Sequence, residues 1–248
     1  MIILKSKAEI EKMRRANQVV VEVMKTLATQ IVPGVTTQDL DRVAFEIIKE
    51  RGGKPAFLGY RGFPATLCTS INEEVVHGIP NKRPLVEGDI VSVDCGVILD
   101  GFYGDHAMTF AIGQIPPRTE RLLSITQEAL AKGIALMVPG NRLGDVGAAI
   151  QQHVEAEGFG IVRDYVGHGI GRSLHEEPQV PNYGVAGSGL RLKAGMVLAV
   201  EPMVNEGTGA VKLLSDDWTV VTADAKPSAH FEHSVAVTEN GPDILSLH

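Results

Sequence analysis

The chain of 248 residues holds only two cysteines, Cys68 and Cys95, too few for a disulfide framework and in keeping with a reducing compartment. It has no apolar run long enough to cross a bilayer, so no membrane span is expected. Blocks of Lys or Arg are missing too, and with a net charge of -7 a surface that tracks phosphates is a poor expectation; nucleic acid is not the expected substrate. The opening ten residues meet a charge at Lys5, before the apolar core of a signal peptide could form. They read as a short strand running into a helix, and the cytoplasm is the expected compartment. Linkers and low-complexity tracts are also absent. At 44% hydrophobic residues the chain can build a substantial core, and residues 1–248 are expected to form one domain.

What the sequence does contain is a repeat. Glu87-Gly88-Asp89-Ile90-Val91-Ser92-Val93-Asp94 returns as Ala194-Gly195-Met196-Val197-Leu198-Ala199-Val200-Glu201, an acid closing each strand-like run. Val32-Pro33-Gly34 recurs as Val138-Pro139-Gly140, Val76-His77-Gly78-Ile79 as Gly167-His168-Gly169-Ile170, and Asp105-His106-Ala107-Met108 as Glu232-His233-Ser234-Val235. Landmarks kept in one order imply two pseudo-symmetric halves. Either copy alone, roughly 110 residues, would leave its acids exposed, so the halves are expected to pack face to face around one centre.

The apolar spacing of Ile10, Met13, Ala16, Val20, Val21 and Met24 predicts an amphipathic helix beginning after Ser6. A second helix is expected with Thr37 as N-cap, Leu40, Val43, Ala44, Ile47 and Ile48 as its stripe, and Gly52-Gly53 as its end. Residues 119–137 and 141–157 repeat the pair. Strands are expected around 66–79, 89–111, 196–205, 209–222 and 230–238, pairing antiparallel within each half. Helices on one layer and strands on another give an α+β architecture.

Asp100-Gly101 is a strong type I′ signal for a hairpin through residues 90–110. Counting from that turn puts Asp94 opposite Ala107 and Asp105 opposite Gly96, so the two acids share a face as diagonal neighbours, roughly 7 Å apart at the backbone. The repeat adds Glu201 and Glu232. Four converging carboxylates repel unless something neutralises them, and no Lys or Arg motif accompanies them, which asks for about two divalent cations. His168, in the glycine-lined Gly167-His168-Gly169-Ile170-Gly171 stretch, is the natural nitrogen ligand. Oxygen ligands with one imidazole suit Mn, Fe, Co or Zn and are too carboxylate-rich for a structural zinc site.

These residues sit in motifs that resemble those of the type I methionine aminopeptidases. The likeness is carried by Thr69 to Pro80 (TSINEEVVHGIP), Asp94-Cys95-Gly96, Asp100 to Asp105 (DGFYGD), His168 to Arg172 (HGIGR), His175-Glu176-Glu177-Pro178, Glu201-Pro202-Met203 and Glu232-His233, and it covers nearly the whole chain. The resemblance implies the pita-bread fold, a pseudo-twofold α+β architecture. It implies two metal ions, one held by Asp94, the other by His168 and Glu201, with Asp105 and Glu232 bridging and a water or hydroxide between the ions. It further implies that Glu201 passes a proton to the leaving amine, that His175 hydrogen-bonds the developing oxyanion and that His77 positions the substrate backbone. The pocket for the first residue maps onto Phe57, Tyr60, Phe63, Cys68, His77, Leu174 and Trp218, an apolar slot suited to a thioether. Leu174 and Phe63 depart from the aromatic residue and the Tyr usual at those places. The implied substrate is the initiator Met of nascent chains near the ribosome, with a small second residue preferred and a monomer as the default. The absence of an N-terminal extension and of a long insert between His175 and Glu201 fits the bacterial-like form.

Other readings carry less. An Xaa-Pro peptidase of the same fold would share the five ligands, and a non-catalytic peptide-binding relative would be expected to lose some. Gly167 to Arg172 is no dinucleotide loop, because Arg172 stands where the third glycine belongs; His175-Glu176-Glu177-Pro178 lacks the second His of a zincin helix. His106, His153, His230, His233 and His248 are expected to be surface or structural residues, with His233, next to Glu232, a candidate to support it, and the acids within residues 73–89 a solvated face.

Overall fold

The structure, a computed structural model, describes residues 2–247. Helix α1 (Lys7–Ala28) starts in a capping box: the Ser6 side chain accepts the Glu9 N–H, and the Glu9 carboxylate accepts the Ser6 N–H at 3.0 Å. Helix α2 (Thr37–Glu50) is capped in the same manner by Thr36 and Asp39, one residue earlier than the sequence suggests. Thr37 is instead buried in the first turn, where its hydroxyl accepts the Asn81 N–H at 2.9 Å. Among the described residues no strand forms before α1, where one was expected. Lys5 N–H donates to the Gly195 carbonyl at 2.7 Å, but no ladder continues from it.

The first half continues through β1 (Lys54–Pro55), β2 (Leu67–Ile71), β3 (Glu74–Val76), β4 (Ile90–Leu99) and β5 (Phe102–Ala111). The second half begins with α3 (Pro117–Ala135) and α4 (Leu143–Ala156). It ends in β6 (Gly160–Ile161), β7 (Gly167–Gly169), β8 (Glu176–Val180), β9 (Val197–Val200), β10 (Met203–Asn205), β11 (Val211–Leu213), β12 (Val220–Thr222), β13 (Ser228–His230), β14 (His233–Thr238) and β15 (Gly241–Ile244). All strand pairs are antiparallel.

Pairing is not confined to the halves. The β11–β12 hairpin joins β3 of the first half, Val220 opposite Val76, so one small sheet crosses the pseudo-dyad. The apolar run of β12 is wholly buried there, and Thr222 N–H donates to the Glu73 carbonyl at 2.9 Å. Backbone groups buried at the seam need partners; β11 supplies them along one edge of β12 and β3 of the other half along the other.

The repeat is visible bond by bond. Gly34 N–H donates to the Leu85 carbonyl and Gly140 N–H to the Leu192 carbonyl, with φ of 95° and 98° that the absent Cβ permits. Gly88 N–H reaches the Ile112 carbonyl as Gly195 N–H reaches that of Val237. One apolar core lies under α1 and α2 against β2 and β4, and its counterpart lies under α3 and α4 against β9 and β14. The two strand layers meet between these cores, where the acids gather.

Candidate active site

The β4–β5 hairpin has the expected register, with Leu99 opposite Phe102, Asp94 opposite Ala107 and Gly96 opposite Asp105. Asp100 and Gly101 both take positive φ, 50° and 76°, as a type I′ turn requires. Asp94 also lies opposite Cys68 of β2, which brings the thiol onto the same face. In the second half the ladder ends at the Val200–His233 pair, and extending that register by one residue puts Glu201 opposite Glu232. The matching first-half acids are diagonal. This register difference of two residues keeps every side chain on its own face, because strand side chains alternate with period 2. His168 of β7 pairs with Ala199, two residues before Glu201, and so shares that face.

Asp105, His168 and Glu232 have ligand atoms within 4.8 Å of one another. His168 Nε2 is 3.4 Å from Glu201 Oε1 and 3.9 Å from Asp105 Oδ2. Its Nδ1 donates to the Gly169 carbonyl at 3.0 Å, which leaves Nε2 as the ligating nitrogen. Asp94 stands outside that tightest group and lines the same cavity. Burial pushes the Asp94 carboxyl up to about 7 and Glu201 up to about 8. Asp105 and Glu232 are raised too, by burial first and then by the neighbouring carboxylates. Burial lowers His168 to about 4, so its imidazole is neutral near pH 7.

This donor set fits cations. Asp94 Oδ1, Asp105 Oδ1 and Glu232 Oε1 are buried with no hydrogen-bond partner, a costly state for a carboxylate. Among the described residues no Lys or Arg forms an ion pair with any of the four acids. A divalent ion held by these residues would supply the missing positive charge.

All thirteen residues singled out in the sequence line one cavity of about 210 Å³: Phe57, Tyr60, Phe63, Cys68, His77, Asp94, Asp105, His168, Leu174, His175, Glu201, Trp218 and Glu232. Its apolar wall is a packed cluster of Ala56, Phe57, Phe63, Ala65, Cys68 and Leu174, with Phe63 edge-on to Trp218 at 5.1 Å. Gly96 makes room for it. A Cβ there would come 2.6 Å from the Phe57 ring. His175 Nδ1 is 2.9 Å from the Tyr60 hydroxyl, and its ring lies 4.2 Å from that of His168. Burial, then Arg61, lowers the pKa of His175. His77 holds a positive φ of 62° at the end of β3 and is buried enough to fall to about 4. Its successor Gly78 allows no side chain, since a Cβ would sit 2.2 Å from the Thr69 carbonyl oxygen.

The same cavity is lined by Arg61, Val76, Tyr165, Val166 and Met203, which the sequence reading did not single out. Met203 had a signal, being two residues beyond Glu201, and Tyr165-Val166 lead directly into Gly167-His168. His230, expected to be a surface or structural residue, is buried, and its Nε2 lies 3.5 Å from Glu201 Oε2. His106 is buried as well, bonded to the Glu232 carbonyl and stacked on His233 at 4.7 Å. His153 pairs with Glu128 at 3.0 Å, and His248 lies outside the described residues. The solvated face expected within 73–89 is corrected at two acids. Glu74 accepts the Ile71 N–H at 2.8 Å, and buried Asp89 binds Arg83, Asn72 and the Val86 N–H. Turn amides at these strand ends need acceptors, which surface composition does not reveal.

Fold and site together define a metal-dependent hydrolase whose two matched α+β halves enclose a carboxylate-rich centre. The profile of metallopeptidase family M24 matches residues 11–239. The methionine aminopeptidase of Clostridium acetobutylicum is 56% identical over all of this chain and 99% of its own length, and methionine aminopeptidase 1 of Bacillus subtilis 50% identical over 99% of each. The crystal structure of the Thermotoga maritima methionine aminopeptidase superposes with a TM-score of 0.98 at 49% identity, covering both chains entirely. A prolidase structure from Pyrococcus horikoshii, 21% identical at a TM-score of 0.81, covers this whole chain and 64% of the prolidase, and shows a shared pita-bread fold. The chain belongs to metallopeptidase family M24 and, within it, to the methionine aminopeptidases. No helix among the described residues is long and apolar enough to cross a membrane.

Proposed function

We propose that this enzyme removes the N-terminal methionine from peptides and newly made proteins, preferring a small second residue. The observation that carries the reading is the junction of an apolar, thiol- and aromatic-walled slot with a buried carboxylate–imidazole cluster in one cavity. An unbranched thioether packs well on aromatic rings and a polarisable sulfur. A free α-amino group beside four acids finds its counter-charge.

Asp94, Asp105, His168, Glu201 and Glu232 would hold two divalent ions. When bound, these lower the pKa of water and polarise the scissile carbonyl, supplying a nucleophile near neutral pH. His77, at a φ of 62° beside the closely packed Gly78, orients the substrate backbone. His175, oriented by the Tyr60 hydroxyl, donates a hydrogen bond to the developing oxyanion. Glu201, with Oε1 3.4 Å from His168 Nε2 and Oε2 3.5 Å from His230 Nε2, carries the proton to the leaving amine. The two halves act as one catalytic domain, since each contributes acids to the cavity. A cytoplasmic monomer working near the ribosome on initiator Met fits this chemistry, and availability decides among Mn, Fe, Co and Zn.

The test compares a Met-Ala-Ser tripeptide with an Xaa-Pro dipeptide on the Mn-loaded enzyme. Cleavage of the tripeptide is expected, with about two ions per chain by metal analysis; efficient cleavage of the dipeptide alone would overturn the reading.

A further inference from the structure

Ile3 and Leu4 are 54% and 49% exposed, whereas Lys5, the next residue, is only 8% exposed. Burial along this segment runs against hydrophobicity, which asks for a specific reason at Lys5. Its ammonium lies 2.6 Å from Glu176 Oε2, in a pair whose side chains are almost entirely covered. The same ammonium donates to the Ile3 carbonyl at 3.0 Å, and the Lys5 N–H to the Gly195 carbonyl at 2.7 Å, so the lysine is anchored at both ends.

Glu176 passes the constraint on. Its other oxygen, Oε1, accepts the Arg172 N–H at 2.8 Å and the Ser173 N–H at 3.4 Å. These amides belong to the bend at 171–175, which lies in no helix or strand and carries Leu174 and His175. The pair presses directly on the bend, since a Cβ at Gly171 would lie 2.5 Å from Glu176 Oε1 and 2.6 Å from Lys5 Cε. A second link runs from the Arg172 guanidinium to Glu9 Oε1 at 3.2 Å. Neither Lys5 nor Glu176 lines the substrate cavity.

We infer that Lys5 and Glu176 are positioning residues for the reaction: their buried ion pair ties the N-terminal segment to the bend and fixes where Leu174 and His175 stand. A buried pair is a poor source of stability, because desolvation offsets the attraction. Its consequence here is geometric. Leu174 closes the apolar slot and His175 lies against His168, so a bend displaced by a fraction of an ångström disturbs both first-residue binding and oxyanion contact. The inference rests on the proposed reading of the cavity.

The experiment uses the full-length, Mn-saturated enzyme with Lys5→Met, Glu176→Gln, their combination, and Lys5→Arg. It measures kcat and KM on Met-Ala-Ser, Mn affinity by calorimetry, and melting temperature. In Lys5→Met and Glu176→Gln, kcat is expected to fall about 10-fold or more and KM to rise, with Mn affinity unchanged. The combined variant should lose little beyond either single one, because both remove the same pair. Lys5→Arg should recover most of kcat, an outcome that a general loss of stability would not produce. Folded Lys5→Met and Glu176→Gln with wild-type kcat and KM would overturn the inference, as would Lys5→Arg no better than Lys5→Met. If Lys5→Met does not fold, Glu176→Gln and Lys5→Arg decide it. Wild-type enzyme without turnover would overturn the reading of the cavity and this inference with it, whereas active wild type with unperturbed variants would overturn the inference alone.

Discussion

Glu201 illustrates how surroundings outrank residue type. In water its carboxyl would be ionised at neutral pH, yet burial between His168 and His230 raises it to about 8. That value belongs to the metal-free protein; cations ligated by the carboxylate would draw it back to the ionised form, which can accept a proton and pass it on. Glu201→Gln keeps the volume and removes that capacity, so turnover of a methionyl peptide should fall about 10²- to 10⁴-fold at saturating Mn. Steady-state kcat with ion content measured alongside checks this, and a wild-type rate would refute the role. The histidines make the complementary point. His77 and His168 are kept neutral by burial, which suits one to contact substrate and the other to ligate.

At the scale of elements, the β4–β5 hairpin sets the diagonal pair of acids, and two side contacts hold it in place. Asp89, just before β4, accepts from Arg83, Asn72 and the Val86 amide while almost fully buried. Burial pushes its carboxyl up, and these partners outweigh that and leave it lowered. Asp89→Ala strands them, and urea unfolding should show a loss of about 1–3 kcal/mol, discounted toward the low end because Arg83 is half exposed. Gly96 is the second contact, since it lets Phe57 lie against the strand. Gly96→Ala should raise KM for a methionyl peptide by displacing that wall, and cost about 1–3 kcal/mol of stability. Unchanged KM and denaturation midpoint would argue against a wall held by close packing.

For the whole molecule, the converging halves concentrate negative charge that folding alone does not neutralise. In metal-free protein, Asp94 and Glu201 have folded pKa values of about 7 and about 8 against ordinary values of 3.8 and 4.5. A raised carboxyl pKa means the folded state binds more protons, so stability is fully present below the ordinary values and lost as pH rises through the folded ones. The apo protein should therefore melt at a lower temperature at pH 8.5 than at pH 7, a window above the range in which the lowered His77 and His168 oppose the trend. Mn addition should reverse the trend, because cations bind the ionised, folded site and stabilise it by mass action. Calorimetric scans at both pH values check this; an apo melting temperature rising with pH would contradict it.

Much of this was legible in the sequence because it is local. Helix stripes, the Asp100-Gly101 turn and the alternation that puts Asp94 and Asp105 on one face follow from spacing along a few residues, and the repeat extends the same logic to Glu201 and Glu232. Chain order alone did not show that β12 would cross to β3, that Lys5 would be buried on Glu176, or that His230 would lie against Glu201. These contacts depend on which distant surfaces meet. A side chain's type limits what it can bind, and only the packed neighbours decide whether a Lys is covered, a His neutral or a carboxyl protonated, since those outcomes are set by desolvation and by charges brought near from elsewhere in the chain.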